Sequence, residues 1–207
     1  MTEKKGVSRV DLNSIAAGAA IVVSVAALFV AWDQAQIMRR QQHAAFWPVV
    51  NLQASLSSTD ASHDFTIVLA NDGVGPARVQ SSALTLAGVD VRDWPSFEAG
   101  LPAPLRGRAD VNLGTSVGVL APGEEDVLFE IAWPWGPETD AAFTELKRIV
   151  FNPVVSDSDF EICYCSVFDR CWIVNGDDGG APKRVAQCAD GTDITLRMLQ
   201  TLPTGAE

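Results

Sequence analysis

The stretch NDGVGPARV, residues 71–79, decides how this chain folds. It ends the run FTIVLAN and opens the run ARVQSSALTL, and both runs are rich in the β-branched residues that strands favour. Asparagine and glycine favour tight turns, and proline fixes the φ angle of the chain as it enters the next strand. We therefore expect a structural turn built on Asn71, Gly73, Gly75 and Pro76, with a positive φ at Gly73.

Further strand-like runs lie on both sides of this turn. They read VVNLQASL, DVLFEIAW and FEICYCSVF, and glycine-rich turn signals separate them. Two helices are expected to interrupt the strands, a short one near residues 94–97 and a longer one over residues 137–149. Several short strands with regular turn signals predict a mainly β domain, a sandwich or a barrel, over residues 48–207.

Two sequence signatures in this region resemble those of a known group of proteins. Residues 71–79 fit the pattern N-x-G-x-G-P-A-x-V, and residues 120–124, LAPGE, fit L-x-P-G-E. The pair resembles the signatures of immunoglobulin-like β-sandwiches in uncharacterised bacterial single-pass membrane proteins. The resemblance implies an immunoglobulin-like sandwich behind a membrane anchor. Both signatures specify turns, so the resemblance implies no activity.

Residues 12–32 carry no charged side chain and read LNSIAAGAAIVVSVAALFVAW. As a helix, these 21 residues span about 30 Å, the thickness of a bilayer core. We expect a transmembrane helix here, after an N-terminal tail of residues 1–11. A cleaved signal peptide is the alternative, but the run is longer than the apolar region of a typical signal sequence. Residues 33–47 favour a helical stalk, which Pro48 ends.

Small residues recur on one face of the expected membrane helix, at Ala16, Ala20 and Ser24. This spacing permits close approach of two helices and hence formation of a homo-oligomer. The chain as a whole is acidic, since 15 lysine and arginine residues stand against 26 aspartate and glutamate residues, and its formal net charge is -11. Such a chain repels phosphate backbones. We therefore expect a membrane and a protein as partners, and no nucleic acid.

Residues 114–118 read GTSVG, which matches the G-x-S-x-G pattern of α/β-hydrolases. In those enzymes the serine opens a helix, and a histidine follows it in the chain. Here both histidines, His43 and His63, precede Ser116, and the next residues, VLAPG, cannot start a helix. We expect a strand of small residues at this position, no catalytic residue, no metal site and no cofactor.

All four cysteines lie in the last quarter of the chain, at Cys163, Cys165, Cys171 and Cys188. Their spacing lacks the C-x-x-C knuckles of structural zinc sites, so we expect two disulfides. Cys163 and Cys165 share one face of a strand and need partners elsewhere. An odd-length loop, residues 166–170 at the widest, would set Cys171 opposite Cys165. We therefore predict the pairs Cys165–Cys171 and Cys163–Cys188.

Charges flanking the apolar run favour a cytoplasmic N-terminus, since Lys4, Lys5 and Arg9 precede the run while Arg39 and Arg40 follow it. An even and clustered set of cysteines fits a domain outside the cytoplasm. The sequence therefore predicts a single-pass protein of the bacterial inner membrane with a periplasmic C-terminal domain.

The leading functional hypothesis is a non-enzymatic envelope protein that presents its β-sandwich to a protein partner. The alternative is a membrane-anchored domain that is stabilised by a metal or senses a ligand through Cys163, Cys165, Cys171 and Cys188. Zinc bound by thiolates in the purified protein would favour the alternative over the disulfides.

Overall fold

The computed structural model of the chain describes residues 12–152, 157–176, 181–189 and 193–203. The expected N-terminal tail, residues 1–11, lies outside them. The chain divides into two compact units, one up to Ala44 and one from Ala45 onward. The first unit is helical, and the second is mainly β and has its own hydrophobic core.

Helix α1 runs from Leu12 to Ala45 without interruption. Within it, Ser14–Gln42 is long and apolar enough to cross a membrane, a property that a signal sequence shares. The helix ends two residues before the expected end of the stalk. The cause is Trp47, whose carbonyl oxygen accepts hydrogen bonds from the β unit and whose ring stacks on Trp172 with the centroids 5.9 Å apart. The last stalk residues are therefore part of the β unit.

The described part of the β unit contains ten strands, and every strand pairing is antiparallel. In chain order they are β1 (Val50–Ser58), β2 (Ser62–Asn71), β3 (Ala77–Leu86), β4 (Val89–Val91), β5 (Asp110–Leu113), β6 (Gly118–Leu120), β7 (Glu125–Pro134), β8 (Asp159–Cys165), β9 (Cys171–Asn175) and β10 (Lys183–Val185). One sheet has the order β1-β2-β7-β5. The other has the order β10-β9-β8-β3-β4, with β6 also paired to β3. The prediction of a mainly β unit is confirmed.

Alternating side chains of both sheets form one core. Along β2, His63, Phe65, Ile67 and Leu69 are all buried, as the period of two in a strand requires. The two sheets meet in aromatic contacts such as that between Phe129 of β7 and Phe160 of β8, whose ring centroids lie 6.1 Å apart. This shared core places the strands that carry the candidate sites.

In the described part of the chain, three further α-helices and one 3-10 helix connect or follow the strands. They are α2 (Trp94–Gly100), the 3-10 helix Ala103–Leu105, α3 (Pro137–Phe151) and α4 (Ile194–Thr201). Asp93 begins α2 through a capping box with Ser96, and Pro137 occupies the first turn of α3. The side chain of Asp193 caps α4, a helix that the sequence analysis does not anticipate.

The side chain of Asn71 is fully buried and makes four hydrogen bonds. Its Oδ1 accepts from the backbone N–H groups of Val49 at 3.2 Å and Gly73 at 3.1 Å. Its Nδ2 donates to the carbonyl oxygens of Gly75 at 2.9 Å and Leu120 at 3.0 Å. Asn71 thus joins the chain arriving from α1, its own turn and the second sequence signature. We call these contacts the Asn71 junction.

The backbone closes the same junction. The N–H of Asn71 donates to the carbonyl oxygen of Glu124 at 3.0 Å, and the N–H of Gly123 donates to that of Asn71 at 2.8 Å. Gly123 has a φ of 74°, a conformation that glycine adopts readily. Pro76 directly precedes β3. The two sequence signatures, although about 50 residues apart, therefore form one structural element.

The expectation of a positive φ at Gly73 is wrong. Glycine is needed there, and at Gly75, because backbone passes too close for a side chain. A Cβ on Gly73 would lie 2.3 Å from the nitrogen of Val49, and one on Gly75 would lie 2.3 Å from the carbonyl oxygen of Phe46. The chain entering the β unit fills the space beside both glycines, so close approach replaces conformational freedom as the reason for them.

Gly73→Ala should lower the free energy of unfolding by about 2–3 kcal/mol, because the new methyl group overlaps backbone that the Asn71 junction holds in place. Gly176→Ala is the matched control, since a Cβ there would meet no atom within 4 Å. It should change stability by less than about 1 kcal/mol. Denaturant unfolding of the full chain measures both variants. Equal losses would contradict the steric explanation.

Candidate functional site

Strand β1 is an edge of its sheet. It pairs with β2 from Val50↔Asn71 to Ser58↔His63 without a register shift, and no backbone hydrogen bond joins it to another described strand. Its sequence, VNLQASLSS, contains no charged residue and no proline. Natural edge strands are commonly protected by lysine, proline or a bulge, and β1 has none of these. A regular, uncharged edge of this kind can accept another strand.

After Val50, which is fully buried, the inward-facing side chains of β1 are only partly buried. Leu52, Ala54 and Leu56 pack against the core and remain partly exposed. On the neighbouring strand β2, by contrast, Phe65 and Ile67 are only 2% and 3% exposed. Within the described residues, the core is therefore open on the side of β1.

A cavity of about 260 Å³ lies between the two sheets on this open side. Leu52 and Ala54 line it from the first sheet, Leu84 and Phe160 line it from the second, and Val150 lines it from α3. Apolar walls with a few polar groups are typical of clefts that bind side chains or small ligands.

A polar pair, Asp159 and Asn175, reaches this region through Asp159. Asp159 lines the cavity, and Nδ2 of Asn175 donates to Oδ2 of Asp159 at 3.4 Å. The other two oxygens, Oδ1 of Asp159 and Oδ1 of Asn175, are buried and accept no hydrogen bond from the described residues. Because a buried acceptor without a donor costs free energy, the pair favours a donor beyond the described residues.

The cysteines lie on the hairpin of β8 and β9 and on the segment after β10. The loop between the two strands, residues 166–170, has an odd length and sets Cys171 opposite Cys165. The Sγ atoms are 2.06 Å apart in Cys165–Cys171 and also in Cys163–Cys188. These are the two predicted pairs at disulfide bonding distance, and no described cysteine is free.

The two cysteine pairs lie side by side. Sγ of Cys165 is 3.7 Å from Sγ of Cys188, and the Sγ atoms of Cys165, Cys171 and Cys188 all lie within 4.8 Å of one another. Tetrahedral zinc with Zn–S bonds of about 2.3 Å needs sulfurs roughly 3.8 Å apart. The Cys165–Cys188 separation matches this value, but each disulfide holds its two sulfurs 2.06 Å apart, and only thiolates bind the metal. Both disulfides would have to be reduced first, so the paired state favours a structural role.

Ser116 lies in a bend between β5 and β6, so the expectation of a strand of small residues is wrong. The bend brings Ser116 to α4. Its Oγ donates to Oδ1 of Asp193 at 2.6 Å, and its N–H donates to Oγ1 of Thr195 at 3.0 Å. The Oγ of Ser82 lies 2.6 Å from that of Ser116. Ser116 is 2% exposed and fastens α4 to the sheets.

The carboxylate of Asp193 is stabilised in this polar cluster. Partial burial raises its pKa, but hydrogen bonds from the Ser116 and Thr195 hydroxyls and from the N–H of Leu196 outweigh the burial. The pKa of Asp193 therefore lies below its ordinary value. A nucleophilic serine needs a base that takes its proton, whereas an aspartate with a lowered pKa holds a proton poorly.

His63 lies elsewhere in the core. Its ring stacks on Phe143 with the centroids 4.7 Å apart, and its Nδ1 lies 3.1 Å from Oγ of Ser58. The side chain of His43 is outside the described residues. Among the described side chains, no histidine hydrogen-bonds to Ser116, so the G-x-S-x-G serine has no partner of the kind that hydrolases use.

Asp159, Asn175, Asp193 and the open edge β1 are not among the features expected from the sequence. A signal exists for Asp193, because an aspartate directly before the run ITLRMLQT is typical of a helix N-cap. A signal also exists for β1, since nine residues of a strand carry neither charge nor proline. Asp159 and Asn175 meet only because β8 pairs with β9, and no local sequence pattern predicts that pairing.

Ser116→Ala should lower the free energy of unfolding by about 1–2 kcal/mol at neutral pH, because it removes a hydrogen bond to a partly buried carboxylate. The loss should shrink in acid. Since the folded-state pKa of Asp193 is lowered, its carboxylate stabilises the fold above the unfolded pKa of about 3.9 and loses this effect as the pH falls through the folded pKa. Ser55→Ala, at an exposed position of β1, is the matched control.

Denaturant unfolding between about pH 7 and about pH 3 measures this difference between the two variants. A loss for Ser116→Ala that stays constant over this range would mean that the Asp193 carboxylate is not its partner. A loss equal to that of Ser55→Ala would mean that Ser116 does not fasten α4.

No protein-family model matches the chain, and no curated protein matches it. Its function is therefore inferred from the geometry of its own residues. Among the described residues, the β1 edge, the cavity beside it and the Asp159–Asn175 pair are neighbouring features that the fold itself leaves without a partner.

Proposed function

We propose that the chain is a single-pass protein of the bacterial inner membrane whose β unit, in the periplasm, binds another protein and catalyses no reaction. The observation that carries this proposal is β1, a regular and uncharged edge strand beside an open part of the core. An extended segment of a protein satisfies such an edge through main-chain hydrogen bonds. A small metabolite would leave most of the edge unpaired.

Helix α1 supports the membrane anchor. Its apolar side chains are exposed, including Ile21, Leu28 and Phe29 at 65% or more, and a bilayer removes such a surface from water. A signal peptide would share this first part but would be removed from the mature protein. The helix continues without interruption to Ala45, which favours an uncleaved anchor with a stalk.

The cysteine pairs support the periplasmic location of the β unit. Disulfides form and persist in oxidising compartments and are rare in the cytoplasm. The basic residues Lys4, Lys5 and Arg9 before the apolar run favour an N-terminus on the cytoplasmic side. Together these two arguments orient the chain with its C-terminal unit outside the cytoplasm.

The strand order supports an immunoglobulin-like sandwich. When β1, β2, β3, β5, β7, β8 and β9 are lettered A to G in chain order, one sheet reads ABED and the other reads CFG. This is the arrangement of a constant-type immunoglobulin domain. The short strands β4, β6 and β10 are additions to it, and the Asn71 junction lies at the turn from strand B to strand C. The open edge is then strand A.

The contacts of the polar side chains within the fold support a non-enzymatic role. Ser116 and Asp193 fasten α4, and the cysteines are paired with one another. His63 is buried against Phe143. A catalytic site needs a nucleophile or a metal together with a positioned acid or base, and these groups are engaged in the fold instead.

The anchor and its orientation are tested on the full-length chain. It should stay in the membrane fraction after alkaline extraction and keep its N-terminal residues. Its cysteines should react with a membrane-impermeant maleimide only after reduction, and without lysis of the inner membrane, because they are paired and periplasmic. Release of a shortened chain would establish a signal peptide, and free thiols protected until lysis would place the β unit in the cytoplasm.

Binding of a protein is tested by photo-crosslinking in the native cells. A photoreactive phenylalanine replaces Gln53, an exposed residue of β1, or Asn112, an exposed residue on the opposite edge strand β5. We expect one discrete, protease-sensitive adduct from position 53 and none from position 112. Adducts from neither position, or equally from both, would contradict a protein-binding role for β1.

A further inference from the structure

We propose that β1 takes up an extended segment of the partner protein as an additional strand. An apolar side chain of this segment fills the cavity between the sheets, and a lysine or arginine side chain binds the carboxylate of Asp159. This inference rests on the proposed function and adds to it the conformation and the chemistry of the bound segment.

We call the bound segment of the partner protein the guest. The geometry of β1 favours a strand over a helix or a loop as the conformation of the guest. Its register with β2 is regular from Val50 to Ser58, so its outer main-chain groups are evenly spaced. A strand paired with them would lie beside β1 as a fifth strand of the sheet β1-β2-β7-β5. Every second side chain of this added strand would point inward. Those inward side chains would face the cavity that Leu52 and Ala54 already line.

The open core favours an apolar residue at an inward position of the guest. Leu52 and Leu56 are partly exposed, and Phe151 at the end of α3 is 54% exposed. An apolar side chain entering between the sheets would cover these surfaces and fill the cavity. Main-chain pairing supplies affinity in this mode of recognition, and pockets for alternate side chains supply specificity.

The polar end of the cavity favours a basic residue. Asp159 lines the cavity and its carboxylate accepts hydrogen bonds, whereas lysine and arginine carry only donors. Further carboxylates lie near both ends of β1, at Asp72, which accepts a hydrogen bond from Asn51, and at Asp60 in the turn to β2. A ligand with an anionic head group, such as a fatty acid, would meet repulsion at these positions.

The same charges argue against a second copy of the chain as the guest. β1 itself has no basic residue to offer to Asp159, and the chain carries a formal net charge of -11. Two β1 strands could pair through their main chains, but they would leave the acceptors of Asp159 and Asn175 unsatisfied. A partner of a different sequence meets both requirements.

Selection from a library of random nine-residue peptides displayed on phage tests the inference against the full chain in lipid nanodiscs. Enriched peptides should alternate apolar and polar residues, carry lysine or arginine, and lack proline in the pairing stretch. Ala54→Trp fills the cavity from β1 and should weaken the binding of an enriched peptide by at least about tenfold. Ala99→Trp places the same side chain at an exposed position of α2 and should leave binding unchanged.

A double-mutant cycle tests the basic residue. Asp159→Asn should weaken the binding of an enriched lysine-containing peptide by about tenfold. Replacing that lysine by glutamine should remove the difference in affinity between the wild-type chain and the variant. Hydrogen exchange of the wild-type chain gives a readout that needs no variant. Peptide binding should protect amides of β1, and amides of β5 should keep their exchange rates.

Several results would overturn the inference. They are the absence of enriched peptides, enrichment without a period of two, binding that survives Ala54→Trp, and peptide-induced protection that is absent from β1. A dimer of the full chain that Ala54→Trp dissociates would make a second copy the guest and would also overturn it. Peptides that bind as expected, without an adduct from position 53 in cells, would overturn the proposed function alone.

Discussion

The buried side chain of Asn71 is the interaction on which the rest of the β unit depends. Its amide accepts two hydrogen bonds and donates two, and all four partners are backbone groups from three separate segments. Aspartate has no donors for the carbonyl oxygens of Gly75 and Leu120, and glutamine is longer by one methylene group. Asparagine is therefore the side chain whose size and hydrogen-bonding groups match this position. Gly73 and Gly75 are small because the chain entering from α1 must reach it.

The junction also sets the position of the open edge. Val49 is bound to Asn71, and Val50 is the first partner in the pairing of β1 with β2. A slip of one residue would turn every inward side chain of β1 outward. The fixed starting point prevents this slip, and the hydroxyl of the buried Tyr164 accepts a further hydrogen bond from Val50 at 3.5 Å. An edge held in one register is suited to recognise one pattern of side chains.

Features that depend on neighbours in the chain could be predicted from the sequence. The turn after β2 follows from asparagine, glycine and proline chemistry, and the opposition of Cys165 and Cys171 follows from the parity of a hairpin loop. The reason for Gly73 could not be predicted, because its steric neighbours lie more than 20 residues away and no local pattern identifies them. The same holds for Ser116, whose carboxylate partner follows 77 residues later. Long-range contacts of this kind require the tertiary structure.

An uncharged edge strand would ordinarily invite pairing between copies, and charge near the ends of β1 opposes this. Asp72 lies beside Asn51 at the start of the strand, and Asp60 follows its end. If two copies paired antiparallel, Asp72 of one would approach Asp60 of the other; if they paired parallel, each aspartate would approach its own equivalent. Both arrangements place like charges at the same end of the paired strands, where they repel one another. A strand with basic residues near its ends replaces this repulsion with attraction, so the charges that suppress self-pairing also select the proposed partner.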